Sequence, residues 1–163
     1  MFYSLSNGVL MPKIGLGTFL ISNEDAKTVV LEAIKIGYHH IDTAQRYDNE
    51  KGIGEAIKNA SKPRSSLFIT SKQKYHMPFE EAKQAFFQTL EHLQTEYIDL
   101  FLIHWPSHDK IVNQETWRFF EWLYEHKYAK AIGVSNFTRS HLEDLFETAK
   151  VKPHVNQIEC HPG

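Results

Sequence analysis

The chain alternates short apolar segments with amphipathic segments of helical periodicity, and this order constrains its fold more than any other feature. Strand–helix alternation requires right-handed crossovers, and these build a parallel sheet covered by helices. The predicted strands are residues 13–18, 39–44, 66–71, 97–105, 129–136 and 154–161, and the predicted helices are residues 22–37, 48–60, 79–94, 114–127 and 139–150.

The residues before this alternation predict a β-hairpin over 2–14. Asn7 and Gly8 both tolerate positive φ, which predicts a tight two-residue turn between its strands. In the first helix, Asn23 is the predicted N-cap, and Gly37 is the residue predicted to end the helix.

Two parallel-sheet architectures compete for this pattern, an open doubly wound sheet and a (β/α) barrel. A dinucleotide-binding doubly wound sheet carries G-x-G-x-x-G after its first strand. The segment GLGTFLIS provides Gly15 and Gly17 but no third glycine at the required place. The missing glycine favours the barrel.

Polar residues end four successive predicted strands at nearly constant spacing. Asp42, Lys72, His104 and Ser135 are 30, 32 and 31 residues apart, one βα unit per step. In a barrel the carboxyl ends of the strands form one face, where the reactive groups gather. A single Lys or His at a strand end is most simply a satisfied polar residue, but four in register favour a functional site.

Composition narrows the class of protein. The 163 residues carry a net charge of −2, so no basic surplus indicates a nucleic-acid partner. The single cysteine, Cys160, cannot form an internal disulfide; it is predicted as inert packing in a strand, and a reducing compartment is favoured. Neither a signal peptide nor an apolar run of about 18 residues is present in the sequence, so we expect a cytoplasmic protein without a membrane partner.

Asp42, Tyr47, Lys72 and His104 together suit the protonation of a carbonyl oxygen. Tyrosine has an ordinary pKa of about 10, and a neighbouring ammonium favours the phenolate and lowers that pKa. A buried lysine needs a carboxylate, here Asp42, to stay protonated, and His104 is predicted to hydrogen-bond the oxygen on which charge develops. Since no side chain supplies hydride, a nicotinamide cofactor is predicted.

These residues lie in motifs that resemble the aldo-keto reductase family, whose members are NADPH-dependent (β/α)8 barrels. The segment GYHHIDTAQRYDNEKGIG, residues 37–54, resembles the first family signature, and ITSK, LIHWP, KAIGVSNF and VNQIECHP resemble the later motifs in the same order. The resemblance implies a catalytic tetrad of Asp42, Tyr47, Lys72 and His104, with Tyr47 as the proton donor.

The resemblance also implies NADPH as cofactor, with NADH left open, and a small aldehyde or ketone as substrate. The hydrogen-bonding side chains of Ser135, Asn136 and Gln157 suit the nicotinamide carboxamide. The residues assigned to cofactor binding are Thr18, Asp42, Ser135, Asn136 and Gln157.

Residues that follow Tyr47 are assigned structural roles, and comparison with the family pattern marks one departure. Asp48, Asn49 and Glu50 are predicted to begin the next helix, with an acid or amide as its cap. Gly54 is predicted to allow close helix packing. After Lys72, many relatives carry an apolar residue and then a tryptophan that lines the substrate pocket, whereas residues 73–75 here are Gln, Lys and Tyr.

The sequence stops just past the sixth predicted strand, whereas a full barrel takes about 250 residues. We therefore expect an α/β fold of TIM type, an incomplete barrel of about six of eight βα units with an N-terminal hairpin, in one domain over residues 1–163. Open sheet edges predict that this chain alone is marginally stable, self-associates through those edges, or is inactive. The complete enzyme is predicted to be a monomer.

Two other functions compete with carbonyl reduction. A Schiff-base aldolase would use Lys72, but a lysine paired with Asp42 stays protonated and is a poor nucleophile. A non-catalytic nucleotide-binding or regulatory fragment would keep the same residues without turnover. A metal site is not predicted, because the ten histidines form no metal-binding motif.

Overall fold

The computed structural model describes residues 1–161 and contains a parallel six-stranded sheet preceded by a hairpin. The hairpin strands are β1 (Phe2–Ser4) and β2 (Leu10–Pro12). The sheet strands are β3 (Leu16–Gly17), β4 (His40–Asp42), β5 (Phe68–Gln73), β6 (Ile98–Ile103), β7 (Ala129–Ser135) and β8 (Asn156–Gln157). The helices between them are α1 (Asn23–Ile36), α2 (Glu50–Asn59), α3 (Phe79–His92), α4 (Lys110–Glu125) and α5 (Arg139–Phe146).

The sheet strands pair in chain order from β3 to β8, and every pair is parallel. This order follows from one helical crossover between each strand and the next. The carboxyl ends of all six strands therefore lie at the same end of the sheet. The predicted parallel sheet with its N-terminal hairpin is confirmed. Within residues 1–161, β3 and β8 lie at the two edges.

Two apolar layers pack against the sheet, one on each face. The outer layer lies between the sheet and the helices, where Phe101 of β6 stacks on Phe120 of α4 with ring centroids 5.0 Å apart. The inner layer contains Phe68, Leu100, Leu102 and Ala131, which pack against the hairpin residues Leu5, Val9 and Met11. The hairpin thus covers the inner face of the sheet.

The hairpin turn differs from the prediction. Leu5 N donates to Val9 O and Gly8 N donates to Leu5 O, each at 2.9 Å, so the loop contains three residues rather than two. Only Gly8 has a positive φ, +84°, whereas Asn7 does not. This pattern is a turn closed by a left-handed glycine, which is a common three-residue hairpin.

Two other local predictions are corrected. Ser22, not Asn23, is the N-cap of α1, because the hydroxyl of Ser22 accepts from the amide of Asp25 at 3.1 Å. The sixth sheet strand is shorter than predicted, and Cys160 is exposed and lies outside it. Gly37 does end α1, with φ +112°, as predicted.

Gly54 allows close packing of α2 against the end of α3, because a Cβ there would lie 2.0 Å from the carbonyl oxygen of His92. Helix propensity alone predicts that Gly54→Ala stabilises the protein by about 1 kcal/mol. We expect destabilisation instead, by about 1–3 kcal/mol, because the added methyl group would force the backbone at the end of α3 to move. Urea denaturation measures the difference. The matched control is Gly17→Ala, whose new methyl group meets no atom within 4 Å. Equal stability of the two variants would contradict close packing at Gly54.

Among residues 1–161, no helix combines the length and the apolarity that crossing a bilayer requires.

Candidate active site

The carboxyl ends of the strands border an open cleft of about 820 Å³. Tyr47, His104, Ser135, Asn136 and Gln157 all line this cleft. Its rim also includes Phe19, Leu20, Arg46, Trp105, Ile158 and Glu159. We call it the central cleft.

Lys72 and Asp42 form a buried ion pair beneath the central cleft. Lys72 is the fifth residue of β5 and is 1% exposed, and its ammonium bonds Asp42 Oδ1. The ammonium also donates to the carbonyl of Thr43 at 3.0 Å. The other oxygen of Asp42 accepts from the amide of Gln157 at 2.8 Å. A buried ammonium is stable only with such a partner, so Asp42 fixes both the charge and the position of Lys72.

Tyr47 ends a short 3₁₀ turn, Gln45–Tyr47, that follows β4. Its hydroxyl accepts a hydrogen bond from Lys72 Nζ at 3.4 Å. The ring packs against Phe19 and against His104, with centroids 5.3 and 5.7 Å apart. The structure therefore brings a phenol, an ammonium and a carboxylate together at the floor of the cleft.

His104 follows β6 directly and is 9% exposed. Burial lowers its pKa to about 4, and the positive charges of Lys72 and Arg46 act in the same direction, against the opposing effect of Asp42. The imidazole is therefore neutral at pH 7 and carries one N–H. Nδ1 is buried without a partner among the described residues, whereas Nε2 is not fully buried. A neutral imidazole of this kind can donate one hydrogen bond into the cleft.

The residues predicted to bind a cofactor lie at two depths, some at the surface of the cleft and one buried beneath it. Ser135, Asn136 and Gln157 line the cleft, and Asn136 has a left-handed backbone, φ +62°, that turns the chain after β7. Asn136 Nδ2 donates to His104 O and to Ser135 Oγ, each at 3.1 Å. Thr18 lies deeper and is fully buried, and its hydroxyl donates to the carbonyl of Asp42 at 3.0 Å.

Asn49 has a role that the sequence did not reveal. Its side chain does not cap α2, contrary to the predicted capping role of residues 48–50. It is fully buried, and Nδ2 donates to the carbonyls of Thr18 and Ile21 at 2.9 and 3.0 Å. Its Oδ1 accepts from the hydroxyl of Thr43 at 2.7 Å. Asn49 therefore joins the loop after β3 to the loop after β4, and the only sequence signal was an amide close to Tyr47.

Glu50 is also buried, 5% exposed, although it lies on the helix side of the sheet. It accepts from Ser71 at 2.7 Å and from Thr89 at 3.1 Å. Burial raises the pKa of this carboxyl, and the two hydroxyl donors offset that rise in part. Because Ser71 precedes Lys72 in β5, Glu50 ties helix α2 to the strand that carries the buried ammonium.

Acidification is expected to destabilise the fold between about pH 6.5 and pH 4. Burial lowers the pKa of His104 to about 4 and also lowers the pKa values of His40, His76, His92 and His154. An unfolded histidine, with a pKa near 6.5, binds its proton first, so the free energy of unfolding falls as pH drops through this window. The raised pKa of Glu50 acts in the opposite direction.

Urea denaturation at pH 7.5, 6, 5 and 4.5 measures this dependence. The His104→Gln variant should show a shallower loss of stability over the same range, since it lacks one group that charges on unfolding. A wild-type free energy of unfolding that stays constant from pH 7 to pH 4.5 would contradict the buried neutral state of these histidines.

Comparison with known proteins shows which proteins this chain resembles in sequence and in fold. The sequence model of the Aldo/keto reductase family matches residues 13–163. Glyoxal reductase of Bacillus subtilis is 49% identical over 160 residues, which cover 97% of this chain and 57% of that protein. Methylglyoxal reductase DkgA of Escherichia coli K12 is 42% identical over 158 residues, with shares of 97% and 57%. The chain thus spans a little over half the length of these curated relatives.

Solved structures agree with the fold. An aldo/keto reductase of Brucella melitensis superposes with a TM-score of 0.94 at 43% identity, over 99% of this chain and 63% of that one. A Bombyx mori aldo-keto reductase in complex with NADP superposes with a TM-score of 0.89 at 32% identity, over 98% and 58%. The predicted incomplete α/β barrel is confirmed by these neighbours.

Proposed function

Because this chain belongs to the aldo/keto reductase family, we propose that it reduces aldehyde or ketone carbonyls to alcohols with hydride from NADPH. The observation that carries the proposal is the contact of Tyr47 with Lys72, 3.4 Å from hydroxyl to ammonium, at the floor of a cleft open to substrate. The ion pair with Asp42 keeps that ammonium charged.

In this proposal Tyr47 gives its proton to the carbonyl oxygen, while the carbonyl carbon accepts a hydride. The adjacent Lys72 ammonium stabilises the phenolate that remains, so that a phenol can act as an acid near neutral pH. The neutral imidazole of His104 donates a hydrogen bond to the same oxygen and orients it. Asp42 touches neither substrate nor the reacting atoms and acts by holding Lys72.

Three residues that line the cleft, Ser135, Asn136 and Gln157, fit a nicotinamide. Asn136 Oδ1 accepts no hydrogen bond from the described residues, and the amide of Gln157 lies beside it in the cleft wall. Amide and hydroxyl groups complement the carboxamide of NADPH, which supplies the hydride when it is bound. Ser135 and Thr18 then act mainly by positioning, since their hydroxyls donate to Gln157 O and to Asp42 O.

Small 2-oxoaldehydes are the first substrates to test, because two relatives of this chain are named for the reduction of glyoxal and of methylglyoxal. The central cleft, at about 820 Å³, is far larger than either molecule and is open to solvent. Larger aldehydes and ketones therefore belong in the same assay.

The contacts of Lys72 count against a Schiff-base aldolase. A nucleophilic lysine must be deprotonated and accessible, whereas this ammonium is 1% exposed and bonds Asp42, Thr43 and Tyr47. Borohydride trapping of a substrate adduct on Lys72 would favour the aldolase.

The test is oxidation of NADPH by the purified chain with methylglyoxal, together with a fluorescence titration of NADPH binding. We expect binding and carbonyl-dependent oxidation in the fusion described next, whereas the open sheet edges predict little or no turnover by the chain alone. A fusion in which the remaining part of the Bacillus subtilis glyoxal reductase follows residue 161 is the control for the length of the chain. Absence of turnover in both proteins would refute the proposed function. NADPH binding without turnover in both would favour the non-catalytic alternative.

A further inference from the structure

A second, smaller cleft of about 190 Å³ opens beside the central cleft and shares Arg46 and Trp105 with it. We call it the side cleft. Residues 73–76, the last residue of β5 and the three that follow it, line this cleft, and residues 73–75 depart from the pattern of many relatives. The side cleft is therefore connected to the site where Tyr47 meets the carbonyl.

The side cleft contains two cations and no acid. Arg46 and Lys74 line it, together with Gln73, Tyr75, His76 and uncharged residues at the end of β6 and just after it. Within residues 1–161, neither Arg46 nor Lys74 forms an ion pair. Both cations instead lie over the ring of Tyr75, at 6.0 and 5.3 Å from its centroid.

The other charged groups near the side cleft do not neutralise it. Both ring nitrogens of His76 are bonded, to Thr116 Oγ1 and to Trp105 O, each at 2.9 Å. Burial lowers the pKa of His76, so it is neutral at pH 7. Glu159 borders the central cleft but not the side cleft. Lys74 also borders a neighbouring cleft with Asp48 and Glu50, yet it pairs with neither.

We propose that the substrate carries an anionic group, a carboxylate or a phosphate, that binds between Arg46 and Lys74 while its carbonyl reaches Tyr47. The proposal rests on the proposed reductase function and adds a substrate class to it. Arg46 lines the side cleft and also, with Tyr47, the central cleft, so one substrate can place its anion at the guanidinium and its carbonyl at Tyr47. Guanidinium groups bind carboxylate and phosphate through paired charge-assisted hydrogen bonds.

The test compares an anionic aldehyde with a neutral one of similar size, 4-formylbenzoate and its methyl ester. Their binding to the full chain is followed by NMR through the indole N–H of Trp105, which is 56% exposed and borders both clefts. Its signal is identified from the Trp105→Phe spectrum. Because this is a binding measurement, it does not depend on turnover. We expect the carboxylate to bind at least about tenfold more tightly than the ester.

Three variants test whether Arg46 and Lys74 cause the preference for the carboxylate. Arg46→Gln and Lys74→Gln should each reduce the preference for the carboxylate, and the double variant should abolish it without weakening the binding of the ester. The control variant Lys58→Gln/Lys150→Gln removes two positive charges elsewhere and should retain the preference. 4-Formylphenyl phosphate, measured in parallel, shows which anion the side cleft prefers.

Equal affinities for the carboxylate and the ester would overturn the proposal, as would a preference that survives the double variant. A loss of NADPH affinity in Arg46→Gln, with the preference for the carboxylate unchanged, would assign the cations to the cofactor and also overturn it. If the anion preference is present but no carbonyl is reduced, then the reductase function fails and the anion site stands.

Discussion

Replacing Tyr47 with phenylalanine is expected to lower the rate of carbonyl reduction by about a hundredfold or more. Positioned general acids contribute roughly 10²–10⁴ to a rate, and the hydroxyl of Tyr47 contacts the Lys72 ammonium at the cleft floor. The ring remains and keeps its contacts with Phe19 and His104, so the fold should not change. Steady-state NADPH oxidation with methylglyoxal measures the rate, in the chain or in the fusion with the longer relative.

Two controls accompany this variant. Tyr38→Phe removes a hydroxyl from another half-buried tyrosine, one whose hydroxyl makes no hydrogen bond among the described residues, and should leave the rate unchanged. NADPH affinity, measured by fluorescence, should be the same in Tyr47→Phe and in the wild type. A Tyr47→Phe variant that reduces methylglyoxal at the wild-type rate would remove Tyr47 from the mechanism.

Removal of Asp42 is expected to destabilise the protein severely. In Asp42→Leu the Lys72 ammonium keeps only Thr43 O and the Tyr47 hydroxyl as partners. Breaking a buried ion pair on one side costs about 3–5 kcal/mol, because the remaining charge is desolvated without compensation. Lys72 is 1% exposed and cannot reach water without local rearrangement. Urea denaturation at pH 7 measures the loss of stability.

The double variant Asp42→Leu/Lys72→Met tests the cause of that loss. It removes both charges and replaces them with apolar groups of similar size, so it should recover much of the stability lost in the single variant. If the stability lost in the double variant equals the sum of the losses in the two single variants, the ion pair is not what stabilises this region. This experiment needs no catalytic activity and therefore applies to the chain as it is.

The order of elements could be predicted because it depends on local patterns. Strand and helix periodicities gave the sequence of elements from β3 to β8, and Gly37 ended α1 as its backbone freedom suggested. The residue that caps each helix was harder to predict, because neighbouring polar residues can both serve as the N-cap. Ser22 and Asn23 both suit an N-cap, and the structure uses Ser22 for the cap while Asn23 accepts from the amide of Gly52 at 2.9 Å.

The site residues that could not be predicted depend on contacts far apart in the sequence. Asn49 bonds Thr18, 31 residues before it, and Glu50 bonds Thr89, 39 residues after it. No local pattern distinguishes such an amide or acid from a helix cap. The meeting of Arg46 and Lys74 at the side cleft is also a product of the fold, because the two residues are 28 positions apart and come together where the turn after β4 lies beside the end of β5.

Transfer of deuterium from NADPH that carries deuterium at both C4 positions to a carbonyl substrate tests the central claim most directly. The protein is incubated with methylglyoxal and the labelled cofactor in ordinary water, and the alcohol product is analysed by mass spectrometry. If Tyr47 supplies the proton and the cofactor the hydride, one deuterium lies on the former carbonyl carbon and none is lost to solvent. An unlabelled alcohol, or a product bonded to Lys72 after borohydride treatment, would contradict carbonyl reduction by this site.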